Sequence, residues 1–325
     1  MVFAPQMMRG FFMRLVMRLG LVFCIPLISS IFFIFPYSLV VQCWAAPAGI
    51  GATVTTAPAF TSTAQRIVTL SPHLTELVYA VSAEHKLVGV ARFSDYPVAA
   101  RQLPIVGDAM QINWERLLAL RPDLVLAWKS GTPAHVIARL KRLGLTVLVV
   151  QTTQIDDISG ALELIATRAG TLAQSAAART NWAGTLQSLR ARVKSEPPLR
   201  VFYALWHQPL MTVNGGHWVS EVIALCGGLN VFASMPTLTA QVSLEALLSR
   251  KPQVVVGTHS DTTDTALATR WQRYPPPLSQ LPVFALNADW LQRPTPRLAL
   301  AAKELCQHLD AARSNRTLTT APGAS

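Results

Sequence analysis

The 325-residue chain is long enough for two lobes, each with its own core, and its composition is that of an ordinary globular α/β protein apart from the first stretch. No window beyond Val41 is apolar and charge-free for long enough to span a bilayer. The formal charge is +11, but Lys and Arg are scattered, which argues against a nucleic-acid partner and for a solvated basic surface.

Residues 1–48 read as an export signal. Arg9, Arg14 and Arg18 make its positive end, and residues 19–41 are apolar, broken by Pro26 and Pro36. Ala46-Pro47-Ala48 and Cys43-Trp44-Ala45 both offer a cleavage site. The apolar run is longer than usual, so a retained membrane anchor is the alternative, and Met13 or Met17 would each start a shorter signal. Residues 49–65, rich in Ala, Thr and Pro, then form a flexible leader. Two of the four cysteines fall in the signal. Cys226 and Cys306 remain, and in an oxidising compartment they suggest one disulfide, with two buried thiols as the alternative.

Residues 66–170 alternate β-rich runs with helical patterns, as parallel-sheet units do. Strands are expected at 66–70, 87–91, 123–128 and 145–150. Ser71-Pro72 opens a helix through Leu74, Leu77 and Val78, and Asn113 caps another that stops before Pro122. Residues 171–196 read as a Pro-free connecting helix, patterned over 171–194 and ended by Glu196-Pro197-Pro198. A second α/β lobe over 197–314 has strands at 200–205, 253–258 and 282–286, with helices near 218–226, 243–250 and 296–312. Residues 315–325 are expected to be a disordered tail.

An internal repeat links the lobes. Residues 113–128 and 243–258 each run from a capping residue through Glu and a Leu-Leu helix to basic-Pro and an apolar strand. Glu115 and Glu245 hold matched places. A carboxylate in a first helical turn is favoured by the dipole anyway, by ~0.3–1 kcal/mol. Two at matched positions suit a partner that is itself twofold.

Nucleotide-binding and hydrolase motifs are missing: the sequence has no Gly-x-x-x-x-Gly-Lys-Ser/Thr loop, Gly-x-Ser-x-Gly elbow, Cys-x-x-Cys or His-Glu-x-x-His. The reading is therefore of a binder and not of an enzyme, with no catalytic cofactor. Aromatic and polar residues gather at strand ends, where open α/β sheets bind ligands: Phe93, Asp95, Tyr96 and Trp128 in the first lobe, and Trp206, His207, Asp289, Trp290 and Arg293 in the second. Large flat side chains suit a large flat ligand, and Asp289 with Arg293 suits its peripheral amides or carboxylates. A Zn²⁺ or Mn²⁺ receptor built on His73, His135, His207 and His259 is a further alternative, although no spacing demands it.

Several stretches resemble a known family. They are Arg66-Ile67-Val68-Thr69-Leu70-Ser71-Pro72 with Thr75-Glu76-Leu77, Phe93-Ser94-Asp95-Tyr96-Pro97, Trp114-Glu115-Arg116, Ala127-Trp128, Cys226-Gly227-Gly228, Gln241-Val242-Ser243 with Glu245, and Asp289-Trp290 with Arg293 and Thr295-Pro296-Arg297. In this order the segment resembles the vitamin B12-binding periplasmic proteins of Gram-negative bacteria, in the helical-backbone (iron-siderophore/B12) class of ABC solute receptors. The resemblance implies two α/β lobes with mainly parallel sheets, one long joining helix, and a ligand cleft between lobes. It implies a periplasmic monomer that carries cobalamin or a related corrinoid to a dimeric ABC permease with its ATPase subunits. Phe93, Trp128, Asp289 and Arg293 match ligand-contact positions, with Phe93 replacing a tyrosine. Glu115 and Glu245 match the permease-docking carboxylates, and Cys226 and Cys306 match the family disulfide. Ala109 and Thr239 stand where the family has tryptophans, so haem or a ferric siderophore remains an alternative ligand, with His207 and Met110 as replacement contacts.

Overall fold

The computed structural model describes residues 63–108, 110–191, 197–259 and 266–320. The expected export signal, most of the leader, Ala109 and residues 321–325 lie outside them.

The first lobe comprises β1 (Ile67–Thr69), α1 (Pro72–Ala80), β2 (Leu87–Gly89), α2 (Trp114–Ala119), β3 (Leu124–Trp128), α3 (Ala134–Arg142), β4 (Val147–Val150) and α4 (Ile155–Ala169). Its sheet runs β2-β1-β3-β4, parallel throughout. α5 (Ala176–Arg190) leads to the second lobe. There follow β5 (Leu199–Tyr203), β6 (Trp206–His207), β7 (Leu210–Val213), α6 (Trp218–Leu225), β8 (Gly228–Asn230), β9 (Thr239–Gln241) and α7 (Leu244–Ser249). β10 (Val254–His259), α8 (Ala266–Trp271), β11 (Val283–Asn287), α9 (Ala288–Leu291) and α10 (Leu298–Thr320) complete it. The second parallel sheet, β11-β10-β5-β8, repeats the first order when read from its other edge, with β5 in the place of β1 and β10 in that of β3. β6, β7 and β9 add a small antiparallel sheet.

Strand residues alternate between faces, and the alternation sorts them into separate cores. Leu124 and Leu126 of β3, Val201 and Tyr203 of β5, and Val254 and Val256 of β10 belong to one apolar cluster that continues through α1, α4, α5, α6 and α10. Val125 and Ala127 face a second cluster closed by α2 and α3, and Phe202 and Val255 face a third closed in part by Leu247 of α7 and Trp271 of α8. The first cluster spans both lobes. Trp182 and Leu186 of α5 are buried in it, so the joining helix is part of the core.

That helix is shorter than the sequence pattern suggests. Gly170 adopts φ 70° and caps α4, as a residue without Cβ does at little cost, and the chain turns before α5 starts at Ala176. At the other end α10 continues to Thr320, so helix occupies residues 315–320, where the sequence suggested a disordered tail. Cys226, at the C-cap of α6, and Cys306 in α10 form a disulfide across a separation of 80 residues.

The repeat is more complete in space than in sequence. Asn113 and Ser243 cap α2 and α7 by accepting from the third residue on, Arg116 N and Ala246 N. Arg121 and Lys251 both take positive φ, 44° and 46°. Their carbonyls, with those of Leu120 and Arg250, accept from Arg66 in the first lobe and Arg200 in the second. Arginines starting the two central strands thus satisfy the open C-terminal ends of two short helices, an obligation every helix end carries.

Candidate functional site

Parallel strands in each lobe point their C-terminal ends to one edge, and the two edges are brought together. The loop after β2 carries Phe93, Asp95 and Tyr96; α9 and the segment after it, following β11, carry Asp289, Trp290 and Arg293. Arg293 joins the two. Its Nη1 lies 2.9 Å from Glu76 Oε1 and 2.7 Å from Asp95 Oδ1, its Nη2 lies 2.8 Å from Asp289 Oδ1, and the Phe93 carbonyl accepts from Nη2 at 3.3 Å. Arg297 adds Nη2–Glu76 Oε1 at 2.6 Å and Nε–Glu76 Oε2 at 2.9 Å, and the Thr295 hydroxyl donates to the same oxygen. The Arg297 guanidinium also lies 3.8 Å above the Tyr96 ring.

Glu76, on the buried α1, is 4% exposed, so its charge requires these partners. Burial pushes the Asp95 carboxyl up, but the hydrogen bond and charge of Arg293 outweigh it and hold it below the usual carboxylate range. The sequence reading placed Arg293 as a ligand donor. In the structure its donors also serve three carboxylates and a carbonyl, and it ties the lobes together. Glu76 and Asp95 were missed as its partners, although a Glu among the apolar Leu74, Leu77 and Val78 was a signal.

The aromatic residues divide. Phe93 is 70% exposed, with its backbone at φ 66°, and Trp206 is 57% exposed. Both are open to a ligand. Trp128 and Trp290 are only partly buried, yet both pack on the shared core, and the Trp128 ring stands edge-on to His73 at 5.0 Å and tilted to Trp218 at 6.5 Å. His73 is buried, its Nδ1 bonded to Ser71 Oγ at 2.6 Å; burial, helped by the charge of Arg293, lowers its pKa to about 3.

Beside Trp206 opens a cavity of about 710 Å³, within the range of small-molecule sites. Trp206, His207, Met211 and Leu267 line it, with Arg270 and Gln292 as polar groups. The apolar wall comes from the antiparallel sheet and α8, the polar side from α8 and the turn after α9. Met211 and Gln292 were not singled out in sequence.

Glu115 and Glu245 are both exposed in first turns. Hydrogen bonds from its own backbone N–H and from Ser243 hold the Glu245 carboxyl below its ordinary range. Thr239 is exposed at the start of β9, and Met110 is 71% exposed. His73, His135, His207 and His259 do not converge: among the described residues no group of three or more His, Cys, Asp or Glu is placed to hold a metal ion. That overturns the sequence alternative of a four-histidine metal site.

A model of the periplasmic binding protein family matches residues 67–273. A vitamin B12-binding protein of Vibrio cholerae serotype O1 is 39% identical over 246 residues, 76% of this chain and 89% of the relative. The crystal structure of the periplasmic vitamin B12 binding protein of Vibrio cholerae superposes with a TM-score of 0.70 at 38% identity, covering 77% of this chain and 98% of that one. A periplasmic heme-binding protein solved in complex with two hemes superposes with a TM-score of 0.68 at 25% identity, covering 77% and 99%.

Proposed function

Since the chain belongs to the periplasmic binding protein family, we propose that it captures a corrinoid of the vitamin B12 type and delivers it to the permease of an ABC importer. The observation that carries the reading is the site itself: a cavity of about 710 Å³ at the strand ends, walled by Trp206, with Phe93 exposed on the opposing lobe. These two exposed aromatic side chains offer a flat macrocycle apolar area without directional demands. Asp289 gives one oxygen to Arg293 and offers the other to a peripheral amide of the ligand. Trp128 and Trp290, partly buried on the shared core, and His207 and Gln292, lining the cavity, complete the proposed contacts.

Glu115 and Glu245 are the docking carboxylates, one on each lobe, for basic groups of a twofold permease served by ATPase subunits. Their exposure and matched caps support this. The protein works as a periplasmic monomer, without a catalytic step or a catalytic cofactor. The family match and the disulfide support an oxidising compartment. Among the described residues no helix is long and apolar enough to cross a membrane.

A second reading, a haem receptor, draws on the heme-binding neighbour and on the two histidines, His207 and His259, that line the cavity. Titration of the mature protein with cobalamin, cobinamide and haemin separates the readings. The expected outcome is one-to-one corrinoid binding with quenched tryptophan fluorescence. Saturable haemin binding with no response to either corrinoid would replace the ligand and keep the fold.

A further inference from the structure

A second cavity lies beside the one at Trp206. His207 and Arg270 border both, and the second, of about 190 Å³, is completed by Gln208, Arg273 and Tyr274. None of its described lining residues is acidic. Among the described residues no carboxylate forms an ion pair with Arg270 or Arg273. Arg270 Nη1 lies 3.5 Å from His207 Nδ1, a contact that orients the guanidinium without opposing its charge. The Tyr274 ring packs at 4.8 Å on the buried Trp271, which fixes that side of the corner. Basic residues at the end of α8 suit the helix dipole, but that preference does not account for their lining a cavity that shares His207 and Arg270 with the larger one.

We propose that this corner receives an anionic group carried on the rim of the flat ligand, and that it selects among macrocycles by that charge. The inference rests on the reading of the larger cavity as the macrocycle chamber. Two guanidiniums with no carboxylate partner among the described residues, a phenol and an amide make a donor set for an oxyanion, and the planar fork of Arg matches phosphate and carboxylate alike. The shared chemistry has two sources. Cobalamin carries a phosphodiester in its nucleotide loop, which cobinamide lacks, and haem carries propionate carboxylates.

The test compares affinities of the mature protein and of Arg273→Glu for cobalamin, cobinamide and haemin, with circular dichroism and melting as the check on folding. The wild-type protein is expected to bind cobalamin more tightly than cobinamide, and Arg273→Glu to lower that ratio about tenfold, the scale of one lost charge-assisted bond. Arg273→Gln should lower it less. Equal wild-type affinities for the two corrinoids, or a ratio that Arg273→Glu leaves unmoved, overturns the inference while the corrinoid reading stands. If neither corrinoid binds but haemin does, weakening by Arg273→Glu supports the corner with carboxylates as its anion. Haemin binding indifferent to that change overturns it, as does the absence of binding to all three.

Discussion

A single buried carboxylate organises the junction of the lobes. Glu76 meets both Arg293 and Arg297, and removing one member of a buried ion group leaves the others uncompensated. Glu76→Met is expected to cost about 3–5 kcal/mol in urea unfolding, and Glu76→Met with Arg297→Met less than the sum of the two. Asp289→Ala, at a half-open carboxylate, should instead weaken ligand binding by about 1–3 kcal/mol with little loss of stability. Protons act at this scale too. Unfolded, His73 titrates at its ordinary 6.5; folded, it resists protonation down to about 3. Below pH 6.5 the unfolded chain gains a proton that the folded one refuses, so stability falls with pH, by about 2 kcal/mol at pH 5 from this residue. His217, lowered by burial to about 4, acts in the same direction. Equilibrium unfolding of His73→Phe across pH 7 to 4 should give a flatter profile than the native chain. The positions of Phe93, Trp206 and Asp289 after strands were legible from the apolar runs that precede them. The role of Arg293 was not, because its acidic partners Glu76 and Asp95 lie about two hundred residues away and pair only once the lobes meet.

Among the elements, α4, α5 and α6 meet where the chain passes between lobes. Ile155 N, in the first turn of α4, donates to Glu221 Oε2 of α6 at 3.1 Å, while Asp156 pairs with Arg190 of α5 at 2.8 Å. Burial pushes the Glu221 carboxyl up. A raised folded pKa means the charged form costs stability, and that cost grows as pH rises from the ordinary carboxylate range through the folded value. Glu221→Gln keeps an acceptor for Ile155 and is expected to raise the melting temperature at pH 7 while leaving it unchanged near pH 3. The disulfide closes α6 onto α10, and its reduction should lower stability by about 4–5 kcal/mol in the chain-entropy account, less where the reduced chain retains structure. Melting with and without reductant measures it. Seven of the eight strands in the two parallel sheets were legible from apolar runs of the right length. β8 was not, because Gly228-Leu229-Asn230 has no β-branched residue and is a strand only through its pairing with β5. The sheet of β6, β7 and β9 also escaped: Trp206 and His207 form too short a run for alternation to register.

For the whole molecule, two similar halves invite a partner that is also doubled. Glu115→Arg with Glu245→Arg should leave ligand affinity nearly unchanged, because both residues stand on outer first turns, and should abolish delivery by the reconstituted transporter. One reversal alone should leave an intermediate rate; normal transport by the double variant would return both glutamates to helix-start residues. The repeat over 113–128 and 243–258 made this symmetry visible early, since it is carried by neighbours in sequence. The continuity of the core was hidden, because it joins β1 near one end to α10 near the other. That continuity bears on how the chain is made. Synthesis proceeds from the N-terminal side, and the face of α5 holding Trp182 and Leu186 emerges before Leu298, Leu305 and Leu309 exist to help close the cluster. A nascent chain halted after α5 would therefore hold apolar surface open to water, a substrate for chaperones and proteases. Neither half should survive as a separately secreted fragment, however well its own sheet is paired.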